Sequence, residues 1–346
     1  AGAERGDQRP KVVRALGARA VDPPDVVRLS LGRSSTVAES ARGAIAAAFL
    51  RLVDHHPGVQ LDEDPEDVHQ ARVATRRLRS DLKTFGAVLD RKWVDHARGE
   101  LAWLADGLGG VRDADVLLER LRSRFSRLSS TDVLVAQRLV RRLVAQRDEA
   151  LASLRDMIGS QRYLEMLEVL ASAAVVLPLA QPTDEAGDLS VGTHGGNDGG
   201  ASGGQAVLAD DLVCDASARL VDGPWKHLRR AVDALGPDPE DESLHEVRIR
   251  AKRLRYASEA LAGSVGRPAT ELASAAAALQ EVLGNMHDAV VAEEWLRAAA
   301  VDASVEDALV TGQLIAVERE IAEGGRAGWK DAWDRLDRKK MRAWLR

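Results

Sequence analysis

The chain has 346 residues, 45% of them apolar, and a formal net charge of −6. That is enough apolar material for a buried core, and too acidic a balance for a generally nucleic-acid-binding domain. Of its 48 cations only eight are lysines, so the basic chemistry rests on arginine, which suits bidentate contact with phosphate oxygens, and the single cysteine, Cys214, excludes an internal disulfide framework.

Residues 1–33 are polar and broken by Pro10, Pro23 and Pro24, and read as a tail or a linker from an upstream domain. The chain opens at Ala1-Gly2 without methionine, so a longer polypeptide is expected. No signal pattern is visible, and the longest nearly apolar stretch, 166–180, is interrupted by Glu168 and Pro178 and too short to span a bilayer. A cytoplasmic protein without membrane association is expected.

From Thr36 onward the apolar residues recur at three- and four-residue spacing, over 45–53, 78–89, 101–108, 116–121, 133–154 and 163–170. This predicts a first helical bundle over 34–177. Residues 178–206, with Pro178, Pro182 and a glycine run about His194, cannot form a packed core and are expected to be a flexible linker. Helical periodicity then resumes over 225–235, 244–261, 272–283, 290–296, 308–321 and 329–345, which predicts a second bundle over 207–346. No strand is expected: the fold class is all-α, two antiparallel bundles of about four helices each.

A motif links the two halves. Residues 68–80, Val-His-Gln-Ala-Arg-Val-Ala-Thr-Arg-Arg-Leu-Arg-Ser, return 176 positions later as Leu-His-Glu-Val-Arg-Ile-Arg-Ala-Lys-Arg-Leu-Arg-Tyr at 244–256. Each copy follows an Asp-Pro-Glu-Asp segment, at 64–67 and 238–241, which supplies an N-cap, a first-turn proline and first-turn acids. Each is followed by a third block, Leu108-Gly109-Gly110-Val111-Arg112-Asp113-Ala114 and Leu283-Gly284-Asn285-Met286-His287-Asp288-Ala289. Three blocks in one order predict internal duplication about a pseudo-two-fold axis.

On a helical wheel with His69 at zero, Arg72, Arg76, Arg79 and Lys83 fall at about 300°, 340°, 280° and 320°, opposite Leu78 and Leu82. His245, Arg248, Lys252 and Arg255 repeat the arrangement. Like charges three and four apart repel by a few tenths of a kcal/mol per pair, so something must offset them. A stripe roughly 21 Å long, used twice, predicts a groove for a linear polyanion. An anion beside His69 and His245 would raise their pKa, which predicts tighter binding on acidification through pH 6 to 7. Arg77 and Arg253 lie at about 80°, off the stripe. They are expected to be structural, pairing with Asp113 and Asp288. Arg138, Arg142, Lys226 and Arg319 are candidates for a cationic rim.

His287-Asp288 has the order of the His-Asp pair of metal-dependent phosphohydrolases, but its counterpart is Arg112-Asp113, and arginine cannot ligate a metal. Walker loop, nucleophile elbow, zinc-spaced Cys/His set and His-Glu-x-x-His motif are all missing. The expectation is therefore no catalytic residue, no metal and no cofactor. The rival functions are a metal-dependent phosphohydrolase acting on polyphosphate and a protein-protein scaffold. Aromatic residues are only 3% of the chain, with none on the first stripe, so the stacking platforms of single-strand binders are lacking and nucleic acid is disfavoured.

The paired motifs His69-x-x-Arg72-Val-x-x-Arg76-Arg77-Leu78-Arg79 and His245-x-x-Arg248-Ile-x-x-Lys252-Arg253-Leu254-Arg255-Tyr256 resemble the CHAD family, the conserved histidine α-helical domain. The segments about Leu108-Gly109-x-x-Arg112-Asp113 and Leu283-Gly284-x-x-x-Asp288 resemble its second signature, and the resemblance covers roughly 36–340. It implies two four-helix bundles around a basic pore, inorganic polyphosphate as ligand, and localisation to polyphosphate granules. It also implies a CYTH-type triphosphatase domain as an upstream partner, whose tail residues 9–17 would be. Arg112 against His287, and the long linker, depart from the pattern.

Overall fold

The computed structural model describes residues 25–180, 206–301 and 303–345. Of the expected tail over 1–33 and linker over 178–206, residues 1–24 and 181–205 lie outside them. The first half contains α1 (Val37–Leu61), α2 (Pro65–Thr84), α3 (Arg91–Ser123), a 3-10 turn (Phe125–Arg127), α4 (Ser130–Ile158) and α5 (Gln161–Val175). The second contains α6 (Val213–Asp233), α7 (Asp241–Val265), α8 (Arg267–Ala299), α9 (Val305–Leu336) and a terminal 3-10 segment (Lys339–Leu345). Among the described residues extended pairing is confined to two isolated bridges, Thr36 with Leu212 and Leu89 with Leu179. The chain is all-α, and among the described residues no helix is long and apolar enough to cross a membrane.

Local chemistry sets the helix ends. Thr36 and Glu39 form a reciprocal capping box on α1, with the Thr36 hydroxyl accepting from the Glu39 amide at 3.1 Å and the Glu39 carboxylate accepting from the Thr36 amide at 2.9 Å. Asp64 caps α2, accepting from the Glu66 amide at 2.8 Å, and Pro65 takes the first helical position. The second Asp-Pro-Glu-Asp works differently: α7 begins at Asp241 behind Glu240, which gives no side-chain cap. The reason is spacing, because Asp64 lies five residues before His69 and Asp238 lies seven before His245. The Pro239 carbonyl instead accepts from Arg326 at 2.9 Å, and Asp241 pairs with the same guanidinium. The periodicity over 78–89 also overran: α2 stops at Thr84, and Leu89 turns away to bridge Leu179.

Consecutive helices pack side by side in both halves, α1 on α2, α2 on α3 and α3 on α4, then α6 on α7, α7 on α8 and α8 on α9. The starts of α6, α7 and α8 lie 176 residues after those of α1, α2 and α3, the step that separates the sequence motifs. The backbone ties between the halves are reciprocal under that step: the Val37 amide donates to Asp211 O at 2.9 Å and the Val213 amide to Ser35 O at 3.0 Å. One apolar core, from Ile45 and Leu78 to Leu254 and Leu279, runs through both halves where α2 and α7 meet. A second cluster, with Leu118, Leu121 and Leu139 against Leu296, Val310 and Leu314, joins α3 and α4 to α8 and α9. The halves thus touch along two separate apolar seams.

Candidate functional site

The first seam carries the basic motifs. On α2 the side chains of Ala71, Ala74, Leu78 and Leu82 are buried, while Arg72, Arg76 and Arg79 are only half-buried; α7 repeats this with Leu244, Val247, Ala251 and Leu254 beneath Arg248, Lys252 and Arg255. The small residues Ala71, Ala74 and Ala251 let the two helices approach. The consequence is electrostatic. Lys252 is depressed to about 8 by burial, and then by the positive charges of Arg76, Arg248, Arg72 and Arg253. Arg248 is lowered by burial and again by Arg76 and Arg72, with Asp288 and Asp113 opposing. The two stripes therefore face each other, α2 supplying Arg72 and Arg76, and α7 supplying Arg248 and Lys252.

Hydrogen bonding leaves these groups partly unsatisfied. Arg72 donates to Asp113 Oδ1 of α3 at 2.6 Å, and Arg248 lies 3.9 Å from Asp288 of α8. The expected pairing of Asp113 with Arg77 and Asp288 with Arg253 is corrected: the aspartates hold the stripe itself. The reason is the azimuth of the neighbours, since α3 and α8 lie on the stripe side of α2 and α7. Arg77 instead donates to the buried Asp81 at 3.2 Å and pairs with Glu259 of α7, so it does tie helices together, but across the halves rather than within one. Arg253 is exposed and lines a small recess of about 160 Å³ with Ser80, Lys83, Thr84, His227 and Arg250. The Nε atoms of Arg76 and Arg248 are buried without a hydrogen-bond partner in the protein.

The histidines occupy different surroundings. His69 is lowered from its ordinary value first by burial and next by the charge of Arg112, against Glu66. The counterpart of Arg112 is His287, whose Nδ1 lies 3.1 Å from Nδ1 of His245, with ring centroids 4.1 Å apart. One ring must donate and the other accept in that contact. His287 is lowered by burial first, then by His245 and Arg248. With His69 and His287 both lowered, protonating these rings takes more acid than protonating a free imidazole.

On the wheel Tyr256 falls at about 20°, next to His245, and the structure places it beside the arginines. It is 5% exposed, and the guanidinium carbons of Arg76, Arg77 and Arg255 lie 5.7, 5.8 and 5.6 Å from its ring centroid. It packs under the arginines, which leaves no face for a nucleobase. Arg255 donates to Glu259 at 2.7 Å. The rim candidates are engaged: Arg138 with Asp307 at 2.9 Å, Arg142 with Ala299 O at 3.3 Å, Lys226 with Asp222 at 2.6 Å and Arg319 with Glu293 at 2.7 Å. Arg138 and Arg142 thus bond α4 to the second half instead of edging the groove.

Three contributors were not singled out from the sequence. Arg112 adds charge beside His69. Arg51 lines a cavity of about 540 Å³ between α1, α2 and α7. Glu318 of α9, fully buried, accepts from Arg120 of α3 at 2.6 Å and from Arg124, the residue just after α3, at 3.0 Å, clamping the halves at the second seam. Arg51 and Glu318 lie outside the repeated blocks, and Arg112 lies inside one but at the position where the two copies differ, so internal comparison marked none of them as part of the site. Among the described residues no group of three His, Cys, Asp or Glu side chains is arranged to hold a metal ion.

Residues 43–297 match the profile of the CHAD domain. The relatives named Uncharacterized protein Rv2226 and Uncharacterized protein MT2285, from two strains of Mycobacterium tuberculosis, are each 33% identical over 286 residues, covering 80% of this chain and 49% of theirs. The chain therefore spans about half the length of the curated relatives it matches. Among solved structures, PptA from Streptomyces chartreusis superposes with a TM-score of 0.64 at 25% identity, covering 87% of this chain and all of that one. The CHAD domain from the plant Ricinus communis gives a TM-score of 0.58 at 26% identity, covering 94% of this chain and 96% of its own. The chain belongs to the CHAD domain family.

Proposed function

We propose that the protein binds inorganic polyphosphate, without catalysis, in the groove where α2 and α7 face each other. The observation that carries the reading is the convergence of Arg72, Arg76, Arg248 and Lys252 on that groove, where the Nε atoms of Arg76 and Arg248 are buried without a hydrogen-bond partner in the protein and Asp113 and Asp288 are the carboxylates beside the stripe. Such a cluster repels itself until an anion arrives. The cations are strung along two helices, which suits a repeating chain, and arginine forks suit its oxygens. The burial of Tyr256 keeps its ring from base stacking, which favours a base-free polyanion over nucleic acid. The common 176-residue step and the reciprocal backbone bonds support an internal duplication about a pseudo-two-fold axis. A cytoplasmic protein of this kind would concentrate at polyphosphate granules.

The test is a calorimetric titration with long-chain polyphosphate, single-stranded DNA and RNA, with orthophosphate release followed in parallel and divalent metal present. Saturable binding of polyphosphate alone, with no phosphate released, is expected. Preferential binding of RNA, or steady phosphate release, would overturn the reading.

A further inference from the structure

The cavity between α1, α2 and α7 differs in kind from the groove. Its floor is made of small side chains, Ala44, Ala48, Val73 and Ala74, which leave about 540 Å³ of space, within the range of small-ligand pockets. Its walls carry five arginines, Arg28, Arg51, Arg76, Arg77 and Arg255, and His69 from the end of the stripe, against one carboxylate, Glu259. Three of those guanidiniums gather within 5.6 to 5.8 Å of one ring, that of Tyr256. In the groove the charges form a line; here they surround a point.

The second recess supplies an internal control. Leu220, Pro224 and His227 line it at positions 176 residues after Ala44, Ala48 and Arg51 of the first. The larger Leu220 and Pro224 stand where the first recess has alanines, and the space falls to about 160 Å³. Two equivalent places in the fold therefore differ, and the one beside Arg51, Arg77 and Arg255 is the roomier, about 540 against about 160 Å³.

A phosphate group inside a polyphosphate chain carries one negative charge. A terminal group, with a second ionisation near pH 6, carries close to two, and has three oxygens to offer. We infer that the recess between α1, α2 and α7 is a socket for a terminal phosphate, supplied by the end of a polyphosphate chain or by a short linear oligophosphate. The first source rests on the polyphosphate reading above; the second does not. Arg51, Arg77 and Arg255 hold the group by bidentate bonds, and the anion displaces Glu259 from Arg77 and Arg255. Arg76, shared by recess and groove, joins the chain end to the rest of the chain.

Linear triphosphate and cyclic trimetaphosphate separate the terminal group from the phosphate count, because the ring has no terminus. Calorimetry on the full chain should show triphosphate binding at least about tenfold tighter than trimetaphosphate. The exposed Arg51 has no structural duty, so Arg51→Gln should fold normally and weaken triphosphate about tenfold, the worth of one charged hydrogen bond. Ala44→Leu, which copies the residue at the equivalent place, should abolish triphosphate binding by filling the socket. Long-chain polyphosphate should lose less than about threefold in either variant, since its groove contacts remain. Equal affinity for ring and linear triphosphate, or unchanged triphosphate binding in both variants, would overturn the socket. Failure of the long chain to bind the unmodified protein would overturn the groove reading, while the triphosphate comparison would still decide the socket.

Discussion

Replacing Lys252 by methionine separates what the groove binds from what it costs. The ammonium falls from an ordinary 10.5 to about 8, with burial the larger cause and four arginines adding to it. At about 1.36 kcal/mol per pH unit this corresponds to roughly 3 kcal/mol of unfavourable charge at pH 7, trimmed to about 1 to 3 kcal/mol because the residue keeps some contact with water. The sign is set by proton affinity: the folded chain holds this proton less tightly than the unfolded chain. The penalty is complete below about pH 8 and fades as pH rises from there to 10.5, where both states are neutral. Lys252→Met keeps the buried stem and removes the charge. It should be about 1 to 3 kcal/mol more stable at pH 7, a rise of a few degrees in Tm, and should lose that advantage at pH 10.5. The same variant should bind long-chain polyphosphate more weakly, with a salt slope smaller by about one. Scanning calorimetry at both pH values and titration at three salt concentrations give all three numbers. A Lys252→Met protein that is less stable than the parent at both pH values would refute the premise that this charge is uncompensated.

Other expectations follow from the same geometry. Glu318→Gln leaves Arg120, 10% exposed, with its charge unopposed, and should cost about 3 to 5 kcal/mol by denaturant titration; a cost under about 1 kcal/mol would mean that the clamp is not holding the second seam. Burial raises Asp81 to about 7 in spite of Arg77, so folding stability should decline as pH climbs from about 4 past 7. Asp81→Asn should flatten that decline and be the more stable protein at pH 8; a parallel curve would show that Arg77 compensates the carboxylate fully. His287 is lowered by burial and by His245, so polyphosphate affinity should strengthen on acidification only below about pH 6.5, and His287→Asn should remove most of that gain. Binding of long-chain polyphosphate should fall linearly on a log-log plot against salt, and a flat dependence would exclude an electrostatic groove.

The parts of this site that could be read from the sequence are those that depend on one helix. Spacing of three and four places Arg72, Arg76 and Arg79 on one face, and neither α3 nor α7 is needed to know it. A capping proline and acid mark the start of α2 for the same local reason. The same letters misled at α7, where two extra residues before His245 move the helix start past Asp238, the aspartate that local rules assign to the cap, and Arg326, about 85 residues away, takes the Pro239 carbonyl and Asp241. Partner identity is lost at once beyond the helix. A wheel angle says that Arg77 points away from Arg72, but not which helix stands on either side. It therefore cannot say that Asp113, 41 residues on, meets Arg72, or that Glu259, 182 residues on, meets Arg77.

Repetition extends the reach of the sequence for a specific physical reason. If two copies of a helix pack against each other about a two-fold axis, each residue of one copy acquires a partner predictable from the other, so the facing of the stripes is implied by the repeat. Where the copies differ, that inference stops, and those differences carry the individuality of the site: Arg112 against His287, Ala44 against Leu220, Glu259 against Lys83. The first adds a fixed charge to one end of the groove and a titratable pair to the other. The second opens a recess on one side and fills it on the other. The third gives Arg77 a carboxylate that its counterpart Arg253 does not meet. A symmetric groove would accept a polyanion in either direction, but these three differences make its two ends chemically distinct. The two ends of a linear polyphosphate are identical, so the asymmetry can only decide at which end of the groove a chain terminus sits, which is why the recess beside Arg51 matters to the groove. The Arg51→Gln variant should therefore reduce the fraction of end-bound chains while leaving binding along the groove intact, a separation readable with polyphosphate carrying a fluorophore on one terminal phosphate. If blocking both termini leaves affinity and the Arg51→Gln effect unchanged, the groove has no direction and the asymmetry of the halves has another cause.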